Sequence, residues 1–467
     1  MKPRYITTSI AYANAEPHIG FLYELLAADV LARFYRLKGQ DVFFLSGTDE
    51  HGIKVAKAAK EAGQEPQQFV DELAGKFEAL GPKFNLDFDW FIRTTDPRHI
   101  SFVREKWAQL ARAGALKKKT YSGLYCTGCE AFKTAAEIKE GKCLIHHASL
   151  EKVEEENWFL EISKNKAQIS KWIKKAVFPG SRRQEVINVL ESGAYDEVSV
   201  SRPKTNNSWG IEVPDDPGQV IYVWVDALFN YLSALSIHGK ESLWPADIQV
   251  IGKDILKFHA IIWPALLLAC GYDLPKKLLV HGFINVEGKK LSKSTGHIVY
   301  PDELLKRYGA EATRYLLCRK LNFYDDSNFS WEEFDAIYNG ELADGLGNLL
   351  QRAITLLKKF EPQGSRGAVT AAFDGLEPLE DYLGKQDFRG QLDKIILEIT
   401  QANEWLTRQK PWEWDEPDKL KLATFVDQTK LIAIASFLEP FMPKVALKIH
   451  RQLKTLDPKP LFPRLAL

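Results

Sequence analysis

The chain has 467 residues, 45% of them hydrophobic and 27% charged, with 62 Lys plus Arg against 62 Asp plus Glu. That length exceeds one hydrophobic core, so division into domains of ~100–200 residues is expected. The charge balance, which persists in the stretch after residue 341, denies the bulk basic footprint of a nonspecific nucleic-acid binder, so any nucleic-acid contact is local and specific.

From the start, Met1 runs straight into the strand-like residues 5–10 with no secretory signal. A helix follows from about His18 to Leu37, ended by Gly39, with Leu22, Leu25, Leu26, Val30 and Phe34 at helical spacing. An apolar strand over residues 41–45 completes a strand–helix–strand unit of the kind that builds parallel sheets. Ser46-Gly47-Thr48-Asp49-Glu50-His51-Gly52 then falls at the strand's C-terminal end, the edge where open parallel sheets bind ligands. Residues 117–203 change to short strands, a cysteine cluster, the acidic run 151–156 and basic helices, which suggests an inserted domain. Strand patterns resume at residues 219–224, 248–251 and 277–280. The longest apolar run, residues 260–270, contains Pro264 and is too short to span a bilayer, so it reads as a buried helix and no membrane partner is expected. From Glu341 onward Leu342, Leu346, Leu349, Leu350, Ala353, Leu356, Leu357 and Phe360 form one amphipathic stripe, and helical patterns return over residues 391–453.

Two segments carry phosphate chemistry. Ala15-Glu16-Pro17-His18-Ile19-Gly20 lies between the first strand and the first helix, where free backbone N–H groups and the positive helix end suit a polyphosphate. Gly20 lets a flat base approach the backbone, and His18 can donate to a phosphate oxygen as charge develops there. By itself such a segment is more often only a helix start. Gly288-Lys289-Lys290-Leu291-Ser292-Lys293-Ser294-Thr295-Gly296 sets two lysines three apart between glycines, after the strand-like residues 281–286; alone, it reads as a solvated basic turn. Paired in one chain at a separation of about 270 residues, the two resemble the signatures of class I aminoacyl-tRNA synthetases, His-Ile-Gly-His and Lys-Met-Ser-Lys-Ser. The resemblance implies in-line attack of a substrate carboxylate on the α-phosphate of ATP, driven by positioning and electrostatics without a protein nucleophile. His18, Lys290 and Lys293 would act on the phosphates together with Mg²⁺, while Gly20, Glu24, Ser292 and the strand-following Gly252, Lys253 and Asp254 would surround ATP. One position departs from the signature: Phe21 cannot hydrogen-bond a phosphate.

Within class I the chain resembles the methionyl-tRNA synthetases from Tyr5 to about Pro443. The motifs are Ala11-Tyr12-Ala13-Asn14, Thr48-Asp49-Glu50-His51-Gly52, Tyr222-Val223-Trp224-Val225-Asp226-Ala227, Ile251-Gly252-Lys253-Asp254-Ile255 with Phe258-His259, and Trp263-Pro264. The resemblance implies that Ile10, Tyr12, Trp224, Ala227, Leu228, Tyr231 and His259 surround the methionine side chain, and that Asp49 pairs with its amino group. An aromatic wall suits a flexible thioether, each sulfur–ring contact contributing ~0.3–1.5 kcal/mol. Trp224 and Tyr231, seven apart, read equally well as core, whereas an acid at a strand's C-terminal edge has a clear use in binding an ammonium group.

Cys126-x₂-Cys129 and Cys143-x₂-His146 are spaced for one tetrahedral Zn²⁺ with no open position, hence a structural site; His147 is an alternative fourth ligand. In a long chain of five cysteines without a secretory signal, this clustering argues against a disulfide framework and for a cytoplasmic protein. Asn348 and Arg352, four apart, share a helix face beside the apolar stripe. The resemblance implies that they and Trp412 read the anticodon of tRNA(Met), by stacking and by hydrogen bonds to base edges; a surface ion pair and a helix-packing anchor are the other readings.

The expected architecture is α/β: a Rossmann-like parallel-sheet catalytic domain (residues 1–116 and 206–320), a zinc-knuckle connective insertion (117–205), a linker fold (321–340) and an α-helical anticodon-binding domain (341–467). The expected activity is that of the family: ATP activates L-methionine, which passes to the 3′-terminal adenosine of tRNA(Met). Alternatives are another class I synthetase, though the long editing insertion of those for branched side chains is missing, a nucleotidyltransferase of the same fold, and a degenerate tRNA-binding paralogue. With no added β-barrel domain after the helical region, a monomer is expected, which a dimer mass in sedimentation at micromolar concentration would overturn.

Overall fold

The computed structural model of the protein describes residues 3–126, 131–133, 137–144, 147–290, 298–360, 381–414 and 430–466. Its contacts divide into two compact units: Met1–Pro17, Asp41–Ala79 and Asp87–His281 form the first, and His18–Gln40, Leu80–Leu86 and Gly282–Leu467 the second.

The first unit is built on a seven-stranded sheet of β1 (Arg4–Thr8), β2 (Ala11–Tyr12), β3 (Val42–Asp49), β4 (Trp90–Arg93), β5 (Val177–Phe178), β6 (Ile248–Gly252) and β7 (Leu278–His281). The order is β5-β7-β6-β1-β3-β2, with β4 also on β3, and every pairing is parallel. At the centre Ile6 lies opposite both Phe44 and Ile248. Burial on both faces accounts for the apolar run over residues 42–45 of β3 and for the buried β6, in which Gln249 is the one polar side chain. Gly47 has a specific reason to lie in β3: a Cβ there would come within 2.1 Å of the Ile92 carbonyl oxygen.

Three local expectations change. The strand read over residues 219–224 stops at Ile221, and the chain turns into the helix Val223–Leu228, which therefore carries Trp224. The β-branched Val223 and Val225 mimic a strand, but all six residues of that helix are buried, and tertiary packing overrides their propensity. The strand at 41–45 extends to Asp49. The apolar run at 260–270 is a buried helix in two parts, a π-helical turn Phe258–Ile262 and an α-helix Trp263–Ala269. Pro264 lacks an N–H and crowds the carbonyl one turn back, which accounts for the widened turn before it.

The acidic run is also explained. Glu151–Glu161 is a strand antiparallel to the lysine-rich Leu116–Cys126 within a four-stranded sheet, and Lys118 Nζ lies 3.2 Å from Glu156 and 2.9 Å from Asp216. Opposite charges facing across strands stabilise the pairing modestly.

The second unit is mostly helical. It contains Ile19–Leu37, Pro301–Lys320, Asn348–Phe360, Phe388–Gln409, Leu431–Leu438 and Pro443–Thr455. The stripe Leu342, Leu346, Leu349, Leu350, Ala353, Leu356 and Leu357 is buried as its spacing requires, although Tyr338–Gly347 winds as a π-helix before the α-helix begins at Asn348. Among the described residues no helix is long and apolar enough to cross a membrane.

Candidate functional site

In the first unit Trp224 is the centre of an aromatic cluster. Its ring stacks on Phe258 at 3.7 Å and 5°, and meets Tyr12 edge-on at 6.1 Å and His259 edge-on at 6.4 Å. Ala227 and Leu228, on the same helix, are buried, as is Tyr231 on the next helix, Asn230–Ile237; Ile10 is half-buried. A cavity of about 380 Å³ opens beside Tyr12, Trp224 and Phe258, with Lys54, Asp254 and Lys257 on its lining.

His259 and Tyr231 are joined by a 2.9 Å hydrogen bond between the phenol oxygen and Nε2, while His259 Nδ1 lies 3.1 Å from the Ile255 carbonyl. A carbonyl only accepts, so Nδ1 carries the proton and Nε2 accepts from the Tyr231 hydroxyl. Burial pushes the imidazole down to about 4, so the ring is neutral and carries no charge at physiological pH. The sign of the linkage follows. The native state resists a proton that the unfolded chain takes up near 6.5, so stability is full above that pH and falls as pH drops toward 4. The loss amounts to about 3 kcal/mol. His259→Gln should flatten this part of the acid limb when urea midpoints at pH 7 and pH 4.5 are compared with those of the unaltered chain.

Asp49 ends β3 and is 2% exposed, with its carbonyl accepting from Ala13 N at 2.8 Å. The next residue, Glu50, is fully buried: Arg93 forks onto it at 2.7 and 2.9 Å, and the Thr48 hydroxyl donates to it at 2.6 Å. The strand edge that presents Asp49 is thus rigidly held. Gly252 ends β6 at the C-terminal edge of the sheet, and Lys253 and Asp254 follow it in a 3₁₀ turn. A Cβ on Gly252 would lie 2.7 Å from Asp254 Oδ1, so a side chain there would displace the Asp254 carboxylate.

In the second unit His18 is the N-cap of the helix Ile19–Leu37, its Nδ1 accepting from Gly20 N at 3.0 Å. In the neutral ring the proton is therefore on Nε2, the nitrogen that the cap does not use. Glu24 is buried and Phe21 is 9% exposed. Lys290 closes a short hairpin strand opposite Asn285. Ser292 and Lys293 lie outside the described residues.

Of the zinc-spaced residues, Cys126 and Cys143 are buried and form no disulfide, while Cys129 and His146 lie outside the described residues. His147 is exposed, at a positive φ of 53°. Among the described residues no group of three or more potential ligands gathers.

The helix Asn348–Phe360 and the helix Phe388–Gln409 flank a groove of about 570 Å³, lined by Asn348, Arg352, Asn403, Glu404 and Arg408 among others. The Arg352 guanidinium sits 5.4 Å from the centre of the Trp412 ring, and Trp412 is 44% exposed. Trp412 thus presents part of its ring to solvent beneath a cation.

Sequence reasoning missed Phe258 as a pocket wall, though it neighbours His259 in a quoted motif. It also missed Arg93, His99 and Asp226, which act only through partners far along the chain.

The family model of class I (M) tRNA synthetases matches residues 4–143 and 133–354. A methionine–tRNA ligase of Thermotoga maritima is 38% identical over 98% of this chain and 76% of its own length. One of Rhizobium meliloti is 38% identical over 96% and 91%. Among solved structures, Mycobacterium tuberculosis methionyl-tRNA synthetase in complex with methionyl-adenylate is similar with a TM-score of 0.87 at 35% identity, covering 100% of this chain and 99% of that one. Its apo form is similar with a TM-score of 0.81 at 32% identity. An uncharged aromatic cluster and a held acid at the edge of a parallel sheet, with these likenesses along nearly the whole chain, place it in one family: the chain belongs to the methionyl-tRNA synthetases of class I.

Proposed function

We propose that the protein activates L-methionine with ATP to methionyl-adenylate and transfers the methionyl group to the 3′-terminal adenosine of tRNA(Met). The observation that carries the substrate is the uncharged cluster of Tyr231, His259, Trp224 and Phe258, of which Trp224 and Phe258 line the cavity. It offers a thioether polarizable faces and no charge, while Asp49 at the strand edge takes the ammonium group. Ile10, Tyr12, Ala227 and Leu228 complete the wall.

The methionine carboxylate attacks the α-phosphate as pyrophosphate leaves. Lys290, Lys293 and Ser292 hold the departing phosphates, and the Nε2 proton of His18 meets the oxygen on which charge grows. Gly20, Glu24, Gly252, Lys253 and Asp254 hold the nucleoside, and Mg²⁺ accompanies ATP as its counter-ion. Phe21 contributes no hydrogen bond to the phosphates. Residues 1–116 and 206–320 act as the catalytic domain, 117–205 as the connective insertion, 321–340 as a linker and 341–467 as the anticodon-binding domain, and the chain acts as a monomer in the cytoplasm. The decisive experiment is amino-acid-dependent ATP–pyrophosphate exchange with each of the twenty amino acids. Methionine alone should support exchange; exchange with a different amino acid would remove the pocket assignment, and none at all from folded protein would favour a degenerate tRNA-binding paralogue.

Cys126, Cys129, Cys143 and either His146 or His147 would hold one structural Zn²⁺. Two buried thiols outside any disulfide fit that role. Metal analysis should give about one zinc per chain, and Cys126→Ser should lose it. Zinc retained at full occupancy in that variant would remove Cys126 from the ligand set.

Anticodon recognition falls to Asn348, Arg352 and Trp412. Trp412→Ala should raise the KM for tRNA(Met) about tenfold or more, from the ~1–3 kcal/mol that a stacked base contributes, while methionine-dependent pyrophosphate exchange stays unchanged. Equal damage to both reactions would make Trp412 a packing residue.

A further inference from the structure

An array of buried side chains that the reaction does not use begins two residues from Trp224, which lines the cavity. Asp226, in the helix Val223–Leu228 between Trp224 and Ala227, accepts hydrogen bonds on both carboxylate oxygens, from His51 Nδ1 at 2.7 Å and from His99 Nε2 at 2.7 Å. The Ser233 hydroxyl lies 2.7 Å from His99 Nδ1. None of the four residues is more than 5% exposed. A carboxylate only accepts, so each ring presents an N–H to it, and a neutral His99 takes the Ser233 proton on Nδ1. Burial opposes ionisation of Asp226, but the two imidazoles outweigh it and hold the carboxyl below its ordinary range.

The array joins two parts of the pocket. His51 follows Asp49 by two residues and packs against Trp209, whose indole N–H donates to the Glu50 carbonyl at 2.6 Å and whose own carbonyl accepts from Gly52 N at 2.9 Å. Its other end is the helix that bears Trp224, Ala227 and Leu228. Enclosing a carboxylate costs several kcal/mol before its partners offset it, and apolar packing would hold two elements together as firmly. Hydrogen bonds differ from apolar contact in fixing direction and distance.

We propose that His51, Asp226 and His99 are positioning residues that lock the helix carrying Trp224 to the strand edge carrying Asp49, so that the ammonium acceptor and the aromatic wall keep the separation one methionine requires. The inference rests on the reading that Asp49 and Trp224 hold methionine.

Its test is calorimetric titration of methionine and of ATP into the full chain, with melting temperature measured alongside, for His51→Leu, His51→Asn and Asp49→Asn. His51→Leu should weaken methionine about tenfold or more, the loss of a hydrogen bond to a charged group, and leave ATP within about twofold. His51→Asn, which returns an N–H near the place of Nδ1, should recover most of the affinity. A folded His51→Leu that binds methionine normally, or that loses methionine and ATP alike, overturns the positioning role. Should His51→Leu not fold, Ser233→Ala, which releases His99 and gives up only a local 3.2 Å contact with the Asn230 carbonyl, carries the test: a methionine-specific loss supports the role, and none overturns it. Asp49→Asn separates the two levels, because unchanged methionine binding there removes the pocket reading itself, whereas its loss beside a normal His51→Leu removes only this inference.

Discussion

Asp49→Asn should raise the methionine KM in pyrophosphate exchange by roughly two orders of magnitude, with the ATP KM staying within about twofold. The side chain is almost wholly shielded from water, at the end of a strand whose next residue is clamped by Arg93 and Thr48, so it cannot swing away or borrow solvent when the ammonium group arrives. Truncating one partner of a buried charge pair costs about 2–5 kcal/mol, much of it from the charge left behind, here the ligand's. Asparagine keeps the size and the carbonyl acceptor but removes the charge, so the comparison isolates electrostatics from packing. No single aromatic residue should matter as much, since one sulfur–ring contact contributes only ~0.3–1.5 kcal/mol. A methionine KM changed less than about tenfold, or an ATP KM rising in step with it, would sink the assignment.

The contrast between Asp49 and Asp226 shows what could be read from the sequence and what could not. The place of Asp49 is legible because it depends on local facts: an apolar strand, a turn after it, and an acid at the edge where parallel sheets bind ligands. The helical stripe from Leu342 to Leu357 was legible for the same reason, its period being written in neighbouring residues. Asp226 belongs to the same quoted motif as Trp224, yet its partners are 175 and 127 residues away, and no spacing rule connects them. Trp224 was assigned to the pocket by resemblance but placed on a strand, because Val-Trp-Val has strand propensity and only the packed core turns it into a helix. Nothing in the neighbouring residues explains Gly47 either; its reason is the close approach of Ile92, 45 residues along the chain.

The other large effect concerns stability. Arg314→Met should destabilise the second unit by about 3–5 kcal/mol, because it breaks a fully buried ion pair and strands polar groups around it. Arg314 and Asp29 are both 0% exposed, with Nη2 2.6 Å from Asp29 Oδ2. The same guanidinium donates to the Phe441 carbonyl at 2.6 Å and the Pro440 carbonyl at 2.8 Å, in the turn between the helices Leu431–Leu438 and Pro443–Thr455. One side chain thus ties the helix Ile19–Leu37 and the helix Pro301–Lys320 to that turn. Methionine fills a similar volume and replaces none of these bonds. Asp29 keeps Arg33 at 2.8 Å, so Asp29→Leu, which leaves the Arg314 cation without any carboxylate, should cost at least as much. The double variant should lose less than the sum of the two single ones, since the Arg314 cation that Asp29→Leu leaves uncompensated is then gone. Scanning calorimetry would register each single variant as a fall on the order of 10 °C in the transition of this unit. Additive losses in the double variant would mean that the two side chains act independently, and that the guanidinium's bonds to the Pro440 and Phe441 carbonyls, not its charge, hold the helices together.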